Sequence, residues 1–282
     1  MIKELAQSAS LESLHRDIML MSFQQSTESI AVDKFVALFS KVKEKIGFSS
    51  DYSDMYNYSV NLKRIDKLYR KLDSVKYSEL SDVLIYKPVG LTGTYPELVT
   101  FLIESDMVIA QLAQIKLPNM IKQLQARIAN PKTLASESLH DMTGIRDLTR
   151  EKTKIRSMGS SLFDNSKVSD QVKFNVLFNN VTEFRGSIKG VDALAYNLMG
   201  KDGHINRIID ARGELTDMIS KLEERMAAEP HIYQLSLGVG KRFSDDLFKI
   251  AEDLEFFGAY LQLMGIVITS LNKNIDLLGK IL

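Results

Sequence analysis

The clearest pattern in this chain is an apolar repeat that runs through its last forty residues. From Phe243 onward, an apolar residue recurs at alternating steps of four and three, with no polar interruption. A repeat of 3.5 residues keeps one face of a helix against its neighbours over the whole length, so it predicts a long helix in a bundle or coiled coil. The twelve positions of this terminal seam are Phe243, Leu247, Ile250, Leu254, Phe257, Leu261, Met264, Ile268, Leu271, Ile275, Leu278 and Leu282.

Two stretches before the terminal seam carry the same repeat. The first runs from Phe174 to Leu198 and the second from Ile205 to Met226, and glycines between them indicate a turn. Long helices joined by short loops are expected to pack as antiparallel neighbours. The final third of the chain, 169–282, is therefore predicted to be a bundle of long helices.

The rest of the chain has weaker helical patterns, which are separated by polar and proline-containing breaks. Helices are expected at about 3–25, 27–46, 60–75, 96–128 and 134–163, with Pro118 kinking or breaking the fourth. These form a predicted N-terminal helical region, 1–163. The fold class that follows is all-α, an elongated multi-helix bundle.

One stretch, 82–96, looks unlike helix. Its first half is rich in residues that favour strands, and Pro88, Gly90 and Gly93 favour turns. We interpret it as a short hairpin or an ordered loop. Loops carry a large share of binding residues, so Tyr86, Leu91 and Tyr95 become contact candidates, with an ordered connector as the default alternative.

A stripe of small residues lies beside the terminal seam at heptad spacing. Glycine inside a helix costs about 1 kcal/mol relative to alanine, so repeated glycines need a reason. A small stripe lets a second backbone approach closely, and we expect a helix of the same chain or of another copy to pack there. The candidate interaction residues are Ser244, Ala251, Gly258, Gly265, Asn272 and Gly279.

Composition narrows the possible functions. The 36 basic and 36 acidic residues cancel to zero formal charge, which argues against general binding to phosphate backbones and permits self-association. The chain has no cysteine, which excludes disulfides and thiolate chemistry. Its first twenty residues carry charge early and lack the apolar core of a signal peptide, so we expect synthesis in a cytoplasm.

No arrangement of residues in the sequence points to catalysis, a cofactor or a metal. The four histidines include no pair at i, i+4, and HExxH is absent. The segment 237–244 contains Gly-Val-Gly-Lys but lacks the earlier glycine and the Ser or Thr of a phosphate loop, so we expect a flexible connector before a helix capped by Ser244. We therefore predict a protein that is not an enzyme.

Two segments suggest other functions. The seventeen uncharged residues 256–272 are at the lower length limit of a membrane-spanning helix, although a buried bundle helix is the favoured interpretation. The basic residues of 146–156 could contact nucleic acid, although a solvated helix face is the default.

The sequence thus favours a non-enzymatic structural or assembly protein that acts through helix packing, with itself or another helical protein as partner. The chain lacks recognisable motifs, cysteine, tryptophan and net charge, which suggests a component of a phage virion. No residue pattern supports this hypothesis. The alternatives are a soluble bundle that inserts 256–272 into a membrane and a nucleic-acid-binding module.

Overall fold

The computed structural model describes residues 67–88, 91–130, 153, 170–229 and 237–282. Of this interpretable part, 81% is helical and few residues are in strands, which confirms a mostly α-helical fold. The helices predicted at about 3–25, 27–46 and 134–163 lie outside the described residues, as does the basic segment 146–156 apart from residue 153.

The described elements are, besides helical residues 67–72, the following in chain order: α1 Tyr77–Leu80, β1 Leu84–Lys87, α2 Tyr95–Gln111, a π-helical segment Leu112–Lys116, α3 Leu117–Ala129, β2 Asp170–Lys173, α4 Phe174–Leu177, α5 Val181–Met199, α6 His204–Ala228 and α7 Leu237–Ile281.

The chain forms two compact units, and each is assembled from three separate stretches. The first unit comprises Met1–Phe48, Gln111–Arg146 and Asn206–Glu255. The second unit comprises Ser49–Ala110, Asp147–Ile205 and Phe256–Leu282. The predicted division between 1–163 and 169–282 falls on residues outside the described part, and it stays a prediction.

The strand expected in 82–96 is present, but its partner is not the local one that a hairpin requires. In the second unit β1 pairs antiparallel with β2, from Leu84 opposite Lys173 to Lys87 opposite Asp170. After β1 the chain enters α2, whose start is stabilised by a capping box formed by Thr94 and Glu97. The side chain of each of these residues accepts a hydrogen bond from the backbone N–H of the other. The helix start therefore replaces the return strand of a hairpin.

Helix continues through the proline at position 118. α2, the π-helical segment and α3 follow one another without a gap from Tyr95 to Ala129. A proline ring clashes with the carbonyl four residues earlier and offers no N–H, and a wider π turn accommodates such a residue. The proline thus changes the hydrogen-bonding pattern of the helix and does not end it.

The repeat from Phe174 to Leu198 is not one helix. Residues 170–173 form β2, α4 is a single turn, and α5 begins at Val181 after Asn180, whose side chain accepts a hydrogen bond from the Glu183 N–H at 2.8 Å. This N-cap outweighs the continuing apolar repeat. The aromatic rings of Phe174 and Phe178 instead pack with Phe184 and Tyr95 in the core of the second unit.

α7 begins earlier than predicted. Its helix starts at Leu237 and includes the segment expected to be a flexible connector, so Ser244 lies inside the helix and does not cap it. Asp246, which the predicted helix start would place in an exposed first turn, is buried. The helical cost of Gly238 and Gly240, about 1 kcal/mol each, does not prevent the helix from extending.

Candidate functional sites

The terminal seam is buried within the chain. The structure describes the side chains of ten seam residues. One of them, Leu282, is half-buried. The other nine have little or no exposed surface: Ile250, Leu254, Phe257, Leu261, Met264, Ile268, Leu271, Ile275 and Leu278. Burial of a large aliphatic or aromatic side chain is worth about 1.5–3 kcal/mol. The seam therefore builds the core of the folded chain, and these nine residues need no second copy to cover them. Phe243 and Leu247 lie outside the described side chains.

The stripe of small residues becomes more open toward the end of α7. Gly265 is buried, Gly258 and Asn272 are half-buried, and Gly279 is exposed. A Cβ placed on Gly279 would meet no atom within 4 Å. The side chains of Ser244 and Ala251 lie outside the described part. Gly279 is thus open in the direction of a Cβ, while its carbonyl accepts a hydrogen bond from Lys71 Nζ at 3.1 Å. Its role in contacting a partner stays a prediction.

The contact candidates of 82–96 take part in internal packing. Leu91 and Tyr95 are buried and Tyr86 is half-buried. Burial raises the pKa of the Tyr95 phenol, which donates a hydrogen bond to Ser270 Oγ. Lys273 Nζ lies 5.5 Å from the centre of the Tyr86 ring, a cation–π distance. Tyr86 thus links β1 to α7, and Tyr95 links α2 to α7. The proposed contact of Tyr86, Leu91 and Tyr95 with a partner stays a prediction.

The free edge of β1 is closed by a side chain. Asn274 Oδ1 accepts a hydrogen bond from the Tyr86 N–H at 2.6 Å, and Asn274 Nδ2 donates to the Tyr86 carbonyl at 2.8 Å. Ser270 Oγ donates to the same carbonyl at 3.1 Å. One amide thus satisfies both backbone groups, as a neighbouring strand would. Ser270 and Asn274 lie one helical turn apart on α7 and are both fully buried.

A polar cluster lies elsewhere in the second unit, in which Asp106, His204 and Tyr260 are buried and Asn197 is exposed. Asn197 Nδ2 donates to Asp106 Oδ2 at 3.1 Å, while His204 Nε2 is 4.0 Å from Asp106 Oδ1. Among the described residues, Asp106 Oδ1 and His204 Nδ1 make no hydrogen bond although both are buried. A 4.0 Å separation is beyond hydrogen-bond length, so the pair as it stands is not aligned for proton transfer.

The electrostatics of this cluster follow from its burial. Burial raises the pKa of the Asp106 carboxyl, and the Asn197 hydrogen bond and the His204 charge oppose that shift. Burial also raises the pKa of Tyr260, and the Asp106 charge adds to the effect. The Tyr260 hydroxyl donates weakly to the Leu102 carbonyl at 3.4 Å. The cluster therefore favours a protonated, uncharged Asp106 more than water does.

The first unit buries charged groups of its own. Lys116 of the π-helical segment forms an ion pair with Asp253 of α7, and both side chains are almost completely buried. Arg127 and Asp246 are also buried; burial lowers the pKa of Arg127, and the Asp246 charge opposes the shift. Arg225 donates to the carbonyl of Ile128 at 2.6 Å, which fixes the end of α3 against α6. Removing one partner of such a buried pair would leave an uncompensated buried charge.

A groove of about 400 Å³ runs between α3 and α6 in the first unit. Its floor is made of small or apolar residues, namely Ala113, Pro118, Ile121 and Ala211. Its rims are polar and exposed, with Gln114, Lys122 and Gln125 on one side and Arg207, Asp210 and Glu214 on the other. The groove is thus an open surface feature with charges of both signs.

Sequence reasoning missed these polar features for an identifiable reason. Ser270 interrupts an apolar stretch of a helix, and Asp106 precedes one, which is the signal that the sequence offers for them. Asn274 lies among polar neighbours and has no such signal. Periodicity marks which face is buried but does not say which distant group will satisfy a polar residue there. Ser105 is an exception in its own apolar repeat, and it is buried with its hydroxyl bonded to the Phe101 carbonyl.

Two helical stretches of the described part of the chain are long and apolar enough to cross a membrane by length and composition. They are 95–129 and 252–281, each with a window of mean hydropathy 1.5. The windows are 56% and 73% buried inside the fold, as expected for core helices of a soluble protein, which pass the same test.

Within the described residues, no group of three or more His, Cys, Asp or Glu side chains could hold a metal ion.

No known family model, no curated protein and no solved structure matches this chain.

Proposed function

We propose that this chain is a non-enzymatic structural or assembly protein that acts through helix packing and self-association. The observation that carries the proposal is α7, a helix of 45 residues with its described seam buried along most of its length. At 1.5 Å per residue, such a helix reaches roughly 68 Å, far longer than most helices of globular proteins need. It serves as a core element on which other helices are arranged in register.

Three further features support self-association. The chain carries zero formal charge, so copies of it do not repel one another. Gly279 leaves an open position on α7 for a closely packed partner. Two residues further along the same helix, Ile281 is more than half exposed. An elongated shape, coiled-coil packing and incorporation into a phage virion belong to this proposal as hypotheses.

Light scattering coupled to size-exclusion chromatography tests the proposal. We expect a mass at a multiple of 31.9 kDa that depends on concentration. The variant Gly279→Gln should weaken association if the stripe contributes, since it fills the open position without adding apolar surface. Gly213→Gln is the matched control, because Gly213 is another exposed helical glycine where an added Cβ would meet no atom within 4 Å. A monomer at every accessible concentration would contradict the proposal.

The second candidate is a protein that inserts into membranes. It is favoured by one observation, the two apolar stretches 95–129 and 252–281, the second of which contains the uncharged residues 256–272. Insertion would require these stretches to leave the core that they now build. It would also release the buried hydrogen bonds of Ser270 and Asn274. That cost makes this function the less favoured of the two.

A further inference from the structure

Three charged residues on the rims of the groove between α3 and α6 have no partner within the described part of the chain. Lys122 on α3 and Asp210 and Glu214 on α6 line the groove and are exposed. Among the described residues, these three side chains form no ion pair and no hydrogen bond. Asp210 and Glu214 are also one turn apart on the same helix, a spacing at which like charges repel.

The floor of the groove allows a close approach. Ala113 and Ala211 have the smallest side chains that a helix carries besides glycine, and Pro118 and Ile121 add apolar surface. A partner that meets the rims closes such a floor off from water and so removes apolar area from solvent. The groove therefore has the composition of an interface, with an apolar centre and a polar edge.

The arrangement of charge selects the partner. The α3 rim carries Lys122, and the α6 rim carries Arg207 besides Asp210 and Glu214. A wholly acidic partner would meet two like charges on the α6 rim, and a wholly basic partner would meet Lys122 and Arg207. The same face of a second copy satisfies both rims, because a two-fold axis along the groove places the α3 rim of each copy against the α6 rim of the other.

We infer that this α3–α6 groove is a self-association surface, on which a second copy of the chain packs with its Lys122 against Asp210 and Glu214. The inference rests on the proposed function, and it names a surface for it. The contact is isologous, so each charge pair occurs twice in one dimer.

Charge exchange tests the inference by light scattering. Lys122→Glu places three acidic residues together in a homodimer, and Asp210→Lys with Glu214→Lys places three lysines together. We expect each variant alone to associate at least about tenfold more weakly than the natural chain, since like charges set against each other at an interface cost several kcal/mol. An equimolar mixture of the two variants should recover a 1:1 heterodimer, because every rim then faces the opposite charge.

Matched controls separate this effect from a general change of charge. Lys221→Glu, and Asp217→Lys with Glu224→Lys, make the same changes at exposed positions of α6 outside the groove. These variants should associate as the natural chain does, and thermal unfolding by circular dichroism should confirm that all variants are folded.

The outcomes distinguish the two claims. If the natural chain associates and the groove variants associate equally well, the groove is not the interface and the proposed function stands. If the natural chain is monomeric at every concentration, the proposed function fails and the groove inference fails with it. Recovery of the heterodimer from two weakened variants supports both.

Discussion

At the scale of single residues, the polar groups inside the core are the features that stability measurements can report. Asp106 is buried, has one hydrogen bond from Asn197, and lies beyond hydrogen-bond distance of His204. Burial in that position costs a charged carboxylate more free energy than it costs a protonated carboxyl or an amide of the same shape. The position therefore links folding to pH.

Asp106→Asn should make the free energy of unfolding less dependent on pH. Because burial raises the pKa of Asp106, the folded state holds this proton more tightly than the unfolded state. The contribution of this proton to the stability of the folded state is complete below the ordinary aspartate pKa of about 3.9. It is lost as the pH rises through the higher pKa that Asp106 has in the folded state. We expect the variant to gain about 1 kcal/mol over the natural chain at pH 7 in urea unfolding, and less near pH 4.

The exposed Asp217 provides the control for this prediction. Asp217→Asn removes the same charge on the surface of α6, so it separates the effect of the buried site from that of a change in net charge. The free energies of unfolding of Asp106→Asn and the natural chain could differ by the same amount at pH 4 and at pH 7. That result would mean that the pKa of Asp106 does not change on folding.

At the scale of elements, the contact between β1 and α7 shows how a short strand is held in a helical fold. Two strands of four residues form a sheet that is marginal by itself. Asn274 supplies one edge of that sheet by pairing with both backbone groups of Tyr86. The strand therefore depends on a side chain of a helix that lies far away in sequence.

Asn274→Ala should loosen this contact. It leaves the N–H of Tyr86 without its acceptor and removes one of two donors to the Tyr86 carbonyl, and a buried group left unpaired costs about 1–3 kcal/mol. We expect a loss of about 2 kcal/mol in urea unfolding and faster hydrogen exchange at the Tyr86 amide. Asn272→Ala on the same helix is the control, since Asn272 Oδ1 has no hydrogen-bond partner among the described residues. Equal losses in both variants would refute this role for Asn274.

At the scale of the whole molecule, the two units are each drawn from three parts of the chain. α6 and α7 contribute residues to both units, as does the continuous helical stretch from Tyr95 to Ala129. A long helix can therefore contribute residues to more than one compact unit. The division predicted between 1–163 and 169–282 stays a prediction.

Vesicle flotation separates the two candidate functions of the whole chain. We expect the purified protein to stay in the bottom fraction with neutral and with anionic vesicles, because its apolar helices are already buried. If it floats, Thr269→Lys should prevent flotation, since a lysine near a bilayer centre costs about 2.5–3.5 kcal/mol. Thr216→Lys is the matched control: both threonines are half-buried and bond the carbonyl four residues earlier. Flotation that Thr269→Lys alone abolishes would favour the membrane function.

Features that depend on near neighbours along the chain could be derived from the sequence. Apolar spacing predicted a mostly helical fold and marked nine terminal-seam residues that are buried, because a helix turns by a fixed angle per residue and repeats its environment. The residue types near 84 predicted a strand for the same local reason. Local patterns misplaced the starts of α5 and α7, where an N-cap and a helical extension outweighed them.

Which distant groups meet was settled by tertiary packing. The fold paired β1 with a strand more than eighty residues further along, brought Asn274 to Tyr86, and placed His204 beside Asp106. It also formed the groove, whose two rims come from helices that are far apart in the chain. No periodicity encodes these choices, because the partner of a buried polar group is selected by how the whole chain packs and by the free-energy cost of leaving that group unpaired.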